Sequence, residues 1–555
     1  MNTSRLFVAL LLFVGTLPAF AGDKRYQIGS SNTVTADPLV TRPHTKPCVV
    51  QLFQDVAFDD FNSRPFSFTP PADCAGPWQK VVFTGDFSVT AGRQYDRTAN
   101  IWLGGTAIYF GTTPEPRATL SPSWHVETDV TDYSALFTTA QSGQASIGNL
   151  VDSTYTGIIY GSAALEFYPP EKHRKAPRTF DLVLPLSGGP EGGTVGLNDS
   201  TSTLSQTFTL PTNVEEAYLD VYAQSQSNDE FWYSCVPNDA AGELESCGNT
   251  AFRETEITID GTPAGVAPVY PWIYTGGIDP YLWEPLPGVQ TLNFKPYRVD
   301  LTPFAAVLSD GQPHVVSLSV FNADGYFSAT AALLLKLDHA SNTVSGGVTA
   351  NSLSAGPTPS VVENLTTSGD NVSGTVTVSS SRTFKISGFV VTSHGKVETT
   401  VSQEVQFKNA QTFNITDTVY VQDITQNTRI ESLTTRRDGR GVEKRSETAK
   451  YPLTADISLV FNADGTISQT TAIKQKLHQD ATVEQDGNRV FTSVLENSDS
   501  PTDTLVFDSS FNLMGHQGQQ STQKYIFADS NGGCYDVKLT AAANALISVN
   551  RGCGH

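Results

Sequence analysis

Positive charge is scarce in this sequence. Its 555 residues include 35 lysines and arginines against 56 aspartates and glutamates, which gives a formal net charge of −21 at pH 7. Nucleic acids and anionic membranes attract basic surfaces and repel acidic ones. The composition therefore argues against nucleic acid or a membrane surface as a partner, and it suits a soluble, acidic protein.

Metal-binding and membrane-spanning patterns are also missing. The sequence contains no Cys-x-x-Cys pair and no histidine-rich cluster, so it gives no support to a zinc site. Apolar residues at helical spacing are nearly absent. After residue 21, no apolar run approaches the length of about 20 residues that a membrane span needs. We therefore predict a β-rich protein without a metal centre.

The first 21 residues have the features of a secretory signal peptide. Arg5 supplies a positive charge, the segment 6–17 is apolar, and Ala19-Phe20-Ala21 fits a small-x-small cleavage site. We expect residues 1–21 to be removed and the mature protein to be secreted to the periplasm or the extracellular space.

Cysteines are few, but in an exported chain they predict disulfide bonds. Many pairings are possible from the sequence alone. We favour bonds between neighbours, because each such couple falls within one predicted domain. The expected pairs are Cys48 with Cys74, Cys235 with Cys247, and Cys534 with Cys553.

The sequence has the texture of β-structure throughout. Thr, Val, Ser, Phe and Tyr dominate, and Gly, Pro, Asn and Asp interrupt them about every eight to twelve residues, as in sandwiches and barrels. The glycine-rich run 187–193 reads as a linker, and the last region is poor in tryptophan. We predict domains at 22–190 and 191–340, and a C-terminal accessory β-rich domain at 341–555.

Turn signals add two local predictions. The string Phe-Asn-Ala-Asp-Gly occurs at 321–325 and at 461–465. Asp-Gly between strand-like runs favours a β-hairpin, so we predict one at each place. The charged stretch 436–450 is predicted to be a solvated loop or an exposed hairpin.

An acid and a base stand side by side where a predicted strand begins. Asp96 and Arg97 precede a run in which Thr98, Asn100 and Gly104 alternate with Ala99, Ile101 and Leu103, as in a half-buried strand. The rim of a rigid strand is a suitable place for a catalytic group. An exposed ion pair without a function is the alternative.

The second domain contains the densest group of acids and aromatic rings. Asp229 and Glu230 stand beside Phe231, Trp232 and Tyr233. Aromatic faces cover the apolar side of a pyranose, while carboxylates bind its hydroxyls or move protons. The combination predicts a carbohydrate site, although one tryptophan taken alone more often belongs to a core.

Several segments of the first 340 or so residues resemble the acidic peptide-N-glycosidase A family. They are Gly92–Arg97, Trp102–Gly105, Asp129–Tyr133, Asn228–Tyr233, Phe252–Glu254, Ile259–Gly261, Ile273–Gly277, Pro280–Trp283 and Asp300–Phe304. Members of this family release N-glycans from the asparagine of glycoproteins. The resemblance implies the same activity here, on N-linked glycopeptides or glycoproteins.

A fainter similarity reaches the bacterial peptide-N-glycosidase F proteins, which are built from two eight-stranded jelly rolls with the active site between them. It implies an all-β fold of two adjacent jelly-roll sandwiches. It also implies a catalytic role for Asp96 and an oxygen-binding role for Arg97. Two acids of those proteins lack a clear counterpart: Asn249 stands where one is expected, and Asp152 is the nearest candidate for the other.

The chemistry of the implied reaction assigns further roles. Hydrolysis of a side-chain amide needs a positioned water, a base and donors for the developing oxyanion. Asp96 would activate the water, and Arg97 would neutralise an oxygen. Glu230, with Asp229 as the alternative, would hold the chitobiose core and protonate the leaving nitrogen, and Arg253 would anchor that carboxylate. The expected sugar walls are Trp232, Tyr281 and Trp283. This scheme requires no metal or other cofactor.

Two other functions would use the same residues. A glycosidase could cut a sugar–sugar bond with a pair of carboxylates. A non-catalytic glycan-binding β-sandwich protein could use the rings alone, because such folds host many functions. We expect a monomer, and we expect an acid pH optimum, because a general acid works best near or below its own pKa.

Overall fold

A computed structural model describes residues 25–553. The predicted signal peptide, residues 1–21, lies outside the described residues. Within 25–553, no helix is both long enough and apolar enough to cross a bilayer. The helical segments are short: an α-helical turn at Asn238–Ala241 and 3₁₀ turns at Thr131–Thr138, Ser227–Asp229, Trp232–Ser234, Pro280–Trp283 and Thr302–Phe304. The predicted all-β class is confirmed.

The first lobe is a jelly roll. Its strands are β1 (Cys48–Phe58), β2 (Arg64–Phe68), β3 (Lys80–Val89), β4 (Thr98–Leu103), β5 (Thr106–Thr112), β6 (Ser123–Asp129), β7 (Gln141–Ile147) and β8 (Ile159–Tyr168). Antiparallel sheets in the orders β1-β8-β3-β6 and β2-β7-β4-β5 face each other. Apolar side chains such as Phe83, Ile101 and Phe167 fill the space between them.

The second lobe repeats this topology. Its strands are β9 (Leu182–Pro185), β10 (Val195–Asp199), β11 (Leu204–Thr209), β12 (Val214–Gln226), β13 (Glu254–Ile259), β14 (Thr262–Pro268), β15 (Tyr297–Asp300), β16 (Pro313–Phe321) and β17 (Asp324–Leu337). The sheets run β10-β17-β12-β15 and β11-β16-β13-β14. Strand β9 extends the first of these by pairing with β17. The predicted border at 190 therefore needs correction, because 182–185 already belong to the second lobe.

The two jelly rolls are joined by backbone and apolar contacts. The Phe294 N–H donates to the Phe110 carbonyl of β5 at 2.8 Å. The Tyr109 hydroxyl donates to the Leu292 carbonyl at 2.6 Å. Leu334 of β17 packs into the core of the first lobe. These contacts fix the relative position of the lobes, and hence of any site that both contribute to.

The C-terminal region forms one large antiparallel sheet of twelve strands. They are β18 (Ser345–Asn351), β19 (Ser360–Ser368), β20 (Asn371–Thr392), β21 (Gly395–Thr416), β22 (Val419–Asp438), β23 (Gly441–Phe461), β24 (Ile467–Gln485), β25 (Asn488–Asp499), β26 (Thr502–Phe507), β27 (Leu513–Asp529), β28 (Cys534–Ala542) and β29 (Ala545–Arg551). Phe384, Phe407 and Tyr451 join the core of the second jelly roll. The sheet therefore packs directly against that lobe.

Buried carboxamides of this sheet bind loops of the second jelly roll. Asn409 Nδ2 donates to the Tyr233 carbonyl at 2.8 Å. Gln475 Nε2 donates to the Pro271 carbonyl at 2.6 Å. Irregular loops cannot satisfy their own backbone groups, and buried carbonyls need partners. The sheet supplies those partners.

The disulfide pairing matches the prediction, whereas only one of the two predicted Asp-Gly hairpins is present. The bonds are Cys48–Cys74, Cys235–Cys247 and Cys534–Cys553. The hairpin at 461–465 is confirmed, since β23 and β24 pair across it. The hairpin at 321–325 is wrong, because β16 and β17 belong to different sheets. The stretch 436–450 is a hairpin of β22 and β23.

Candidate active site

Asp96 stands just before β4, at the junction of the two jelly rolls. Its Oδ2 accepts a hydrogen bond of 2.7 Å from the N–H of Gly276, which belongs to the second lobe. The side chain is half-buried. Burial raises the pKa of Asp96 above its ordinary value, and the Gly276 bond opposes this rise. A carboxylate with a raised pKa is a stronger base than an exposed aspartate.

Glu230 reaches the same place from the second jelly roll. Strand β12 ends at Gln226, and Ser227 has a left-handed φ of 54° that turns the chain. The Glu230 N–H then donates to the Ser227 carbonyl at 3.0 Å. Burial, with the negative charge of Asp96 as a second cause, raises the pKa of Glu230 to about 7. The charge of Asp96 on the first lobe therefore acts on Glu230 of the second lobe.

Glu115 is a third carboxyl in this group, and the sequence interpretation missed it. Its Oε2 accepts a hydrogen bond of 3.2 Å from the backbone N–H of Asp96. Burial raises its pKa to about 7, and the charge of Asp96 adds to this effect. Its loop is anchored by an ion pair of 2.7 Å between Arg117 and Glu284 of the second lobe. The only local signal was an acid between two prolines, Pro114 and Pro116.

Gly276 lies against two of the three carboxyls. A β-carbon on this residue would collide with Glu115 Oε2 and would lie 3.2 Å from Asp96 Oδ2. Glycine is needed here because the backbone comes so close to the acids.

The Arg97 guanidinium is buried beside the acids. Its side chain lies over the Tyr95 ring, and its residue is 4 % exposed. None of its three side-chain nitrogens has a hydrogen-bond partner within residues 25–553. Burial lowers its pKa to about 9. An unsatisfied guanidinium has donors available for oxygen atoms of a ligand.

Two tyrosines form the aromatic wall next to Arg97. The rings of Tyr95 and Tyr155 meet edge to face with centroids 4.7 Å apart, and both are partly exposed. Arg93 lies over the Tyr155 ring at 5.2 Å. Neither tyrosine was among the predicted sugar walls.

Asp229 and Arg253 have a structural role, which corrects their predicted place in the binding site. They form an ion pair of 2.8 Å, and both side chains are almost completely buried. The second oxygen of Asp229 accepts the Asp324 N–H at 2.8 Å. The pair leaves Asp229 no exposed oxygen for a sugar, and Arg253 anchors Asp229 rather than Glu230.

The predicted tryptophan walls belong to the core. Trp232 is fully buried and packs against Phe407 of the C-terminal sheet, with ring centroids 6.2 Å apart. Trp283 is 2 % exposed and donates its Nε1–H to the Gly277 carbonyl at 2.9 Å. Neither ring can stack on a sugar.

Tyr281 and Asp152 also have other contacts. The Tyr281 ring stacks on His516 of the C-terminal sheet, with centroids 3.8 Å apart. Asp152 is exposed, and its Oδ1 accepts the Thr154 and Tyr155 N–H groups at 2.6 and 2.8 Å. Its observed contribution is to shape the loop that carries Tyr155.

A possible cation-binding group lies elsewhere. Among residues 25–553, the carboxylates and imidazole of Glu215, Asp338 and His394 are the one set of ligand atoms within 4.8 Å of one another. Arg178 pairs with Glu215 at 2.5 Å, and Asp338 accepts the Ala340 N–H at 3.0 Å. Those oxygens already have partners within the protein.

The arrangement contains the parts needed for hydrolysis. A carboxylate can take a proton from water, a carboxyl with a pKa near 7 can give one, and a free guanidinium can stabilise an oxyanion. Asp96, Glu230 and Arg97 supply these groups where the two jelly rolls meet. Glu115 lies beside Asp96 and takes no step in this chemistry.

The profiles of two protein families match this chain. The profile of the family described as Peptide N-acetyl-beta-D-glucosaminyl asparaginase amidase A matches residues 38–350, and that of a PNGase_A C-terminal domain matches 375–453. The peptide-N4-(N-acetyl-beta-glucosaminyl)asparagine amidase A of Prunus dulcis is 32% identical over 388 residues, which are 66% of this chain and 67% of that protein.

Similar solved structures were also found. PNGF-II has a TM-score of 0.37 and 12% identity, covering 53% of this chain and 66% of that one. PNGase F, a glycosylasparaginase from Flavobacterium meningosepticum, has a TM-score of 0.34 and 15% identity, covering 53% and 96%. The family assignment rests on the sequence matches. By these matches, the chain belongs to the peptide N-acetyl-beta-D-glucosaminyl asparaginase amidase A family.

Proposed function

We propose that this chain is an amidase that cuts the bond between an asparagine side chain and the first N-acetylglucosamine of an N-glycan. The observation that carries the proposal is the meeting of Asp96 and Glu230, one from each jelly roll, beside the unpartnered Arg97 guanidinium. Family membership supports the same reading, as does the activity named for the Prunus dulcis relative. The substrates would be N-linked glycopeptides or glycoproteins.

In the proposed reaction, ionised Asp96 takes a proton from a water that attacks the side-chain carbonyl carbon. Arg97 donates hydrogen bonds to the carbonyl oxygen as negative charge develops on it. Glu230 gives its proton to the nitrogen, and the C–N bond breaks to yield aspartate and a glycosylamine. Transfer of the water proton from Asp96 to Glu230 restores the site.

The scheme predicts activity in the acid range. Glu230 must be protonated, and burial holds its pKa at about 7, so the fraction of active enzyme falls as the pH rises above that value. Asp96 must be ionised, so activity also falls at low pH. An optimum above neutrality would contradict these assignments.

We also propose that the protein acts outside the cytoplasm. The signal-peptide pattern of residues 1–21 supports this, and so do the three disulfide bonds, which persist in oxidising compartments. Mass analysis of the exported protein should find Gly22 at its N-terminus.

The test is incubation of the purified protein with a defined N-glycopeptide, followed by mass analysis of both products. Amide hydrolysis converts asparagine to aspartate, so the released peptide is about 1 Da heavier than the same peptide with unglycosylated asparagine. A sugar left on asparagine would instead indicate a glycosidase. Binding without conversion would indicate a glycan-binding protein, and either result would refute the amidase.

Asp96→Asn is the matched variant. Asparagine keeps an oxygen that accepts the Gly276 N–H but cannot take a proton from water. We expect glycopeptide binding, measured by calorimetry, to persist while turnover falls about 10²–10⁴-fold, the usual contribution of general-base catalysis. Asp73→Asn, at an exposed aspartate of the same lobe, serves as the control. Unchanged turnover in Asp96→Asn would remove Asp96 from the mechanism.

A further inference from the structure

Arg97 and Glu115 are neighbours of opposite charge that do not bond. Two hydrogen bonds join their segments: the Arg97 N–H donates to Thr113 Oγ1 at 3.0 Å, and the Asp96 N–H donates to Glu115 Oε2 at 3.2 Å. Each charge shifts the pKa of the other group toward its charged form. Nevertheless, no hydrogen bond within residues 25–553 engages the Arg97 side-chain nitrogens. A buried guanidinium without an acceptor is strongly unfavourable, so an available carboxylate should capture it. The separation needs an explanation.

The surroundings of Glu115 provide one. Its Oε2 accepts the Asp96 N–H and packs against Gly276, while the Asp96 carboxyl lies beside it. The positive charges of Arg97 and Arg93 lower the pKa of Glu115, and the charge of the same Asp96 raises the pKa of Glu230. Burial and the Asp96 charge prevail over the two arginines and raise the pKa of Glu115 to about 7. In acid, Glu115 is therefore a neutral group with no need of a cationic partner.

We propose that Glu115 is a positioning residue for Arg97. In its protonated form it leaves the guanidinium free to bind an oxygen of the substrate. In its ionised form, after loss of its proton to solvent, it takes the guanidinium as an ion-pair partner and closes that position. The inference rests on the proposed amidase function, in which Arg97 binds the amide oxygen.

Glu115→Gln tests the inference, because glutamine keeps an acceptor for the Asp96 N–H but cannot ionise. The measurement is kcat/KM on a defined N-glycopeptide from pH 4 to pH 9, with Glu363→Gln, an exposed position on β19, as control. We expect wild-type activity for Glu115→Gln at pH 5. At pH 8 it should exceed the wild type about tenfold, since a group of pKa about 7 is then ionised about ten to one.

Ionisation of Glu230 lowers the activity of the wild type and of Glu115→Gln alike. The additional loss of the wild type at high pH should appear mainly in KM, because capture of Arg97 removes a substrate contact. The control should follow the wild type throughout. If Glu115→Gln is inactive at every pH, Glu115 is itself an acid or base of the reaction and the inference is wrong. A profile identical to that of the wild type would also overturn it.

If the amidase proposal itself is wrong, the wild-type protein will leave the glycopeptide intact. That result is distinct from the outcomes given for Glu115→Gln. Thermal unfolding of the wild type and Glu115→Gln then tests the titration without substrate. The pKa of Glu115 is raised from 4.5 to about 7 in the folded protein, so the wild type should lose stability relative to the variant as the pH rises between those values. Parallel curves would refute the inference.

Discussion

Gly276→Ala is the most direct test of the site, because one methyl group would disturb two carboxyls at once. The added carbon would collide with Glu115 Oε2 and lie 3.2 Å from Asp96 Oδ2. Gly276 is not among the residues with a left-handed backbone, so alanine fits its φ without strain. The effect therefore falls on the acids rather than on the backbone.

The expected magnitude follows from the contact. The added carbon displaces Glu115, which holds the Asp96 N–H, and crowds the Asp96 carboxyl directly, so Asp96 must move as well. A displacement of Asp96 by about 1 Å lowers turnover about 100-fold. Overpacking of an interior lowers stability by about 1–3 kcal/mol. We expect the lower end of that range, because Glu115 is only partly buried and its side chain can move aside.

The assay compares kcat/KM at acid pH with the melting temperature. Gly277→Ala is the matched control, since its β-carbon would lie 3.1 Å from the Tyr274 carbonyl and 3.2 Å from Ile273 Cγ2, against no carboxyl. We expect similar stability for the two variants and a large loss of activity only for Gly276→Ala. Equal activity losses in both, or wild-type activity in Gly276→Ala, would refute the reasoning.

Two further predictions concern stability. Asp229→Ala should destabilise the protein by about 3–5 kcal/mol in denaturant unfolding, because it leaves Arg253 buried and unpaired. A raised KM with normal stability would instead favour a binding role. Asp279→Asn should raise the melting temperature at pH 7 but not at pH 4. Burial and the charge of Asp503 raise the pKa of Asp279 from 3.8 to about 7, so the wild type is destabilised as the pH rises through this range. A shift of equal size at both pH values would contradict that explanation.

The residues nearest the chemistry were predictable where local pattern and resemblance agreed. Asp96 and Arg97 precede a run whose alternation predicts a half-buried strand, and the structure has β4 there, at Thr98–Leu103, although every residue of the strand after Thr98 is buried. Asn249 stands where the resemblance implied an acid, and Glu230 was one of two hypothetical replacements; in the structure the charge of Asp96 contributes to the raised pKa of Glu230. The similarity to peptide-N-glycosidase F also implied two jelly rolls, and the structure contains them. The catalytic roles of Asp96, Arg97 and Glu230 remain predictions, which the experiments above test.

The exposure of the aromatic residues could not be predicted from the sequence. Trp232 lies two residues after Glu230, but its exposure is decided by Phe407, which lies on a strand of the C-terminal sheet. Glu115 was missed for the same reason. Its contact with Asp96 arises because β4 and β5 form a hairpin that returns the chain to its starting point. Such contacts depend on tertiary pairing, which periodicity does not encode.

The repeated pentapeptide gives a second example of tertiary control. At 461–465 the flanking strands pair with each other, whereas at 321–325 they enter opposite sheets of a jelly roll. At the second place, the Asp324 N–H binds the buried Asp229 carboxylate. Identical turn chemistry therefore permits a hairpin but does not require one.

The C-terminal sheet explains how a site built on loops can be precise. A catalytic group must be held within about 0.5 Å of its working position, and loops are less rigid than strands. Gln469 of β24 donates to the Ile278 carbonyl at 3.2 Å, close in the chain to Gly276, whose N–H holds Asp96. Carboxamides that point into a buried interface violate the usual pattern of apolar residues inside. That is why the region 341–555 resembles an accessory domain in the sequence, although its glutamines fix the backbone that positions the acids.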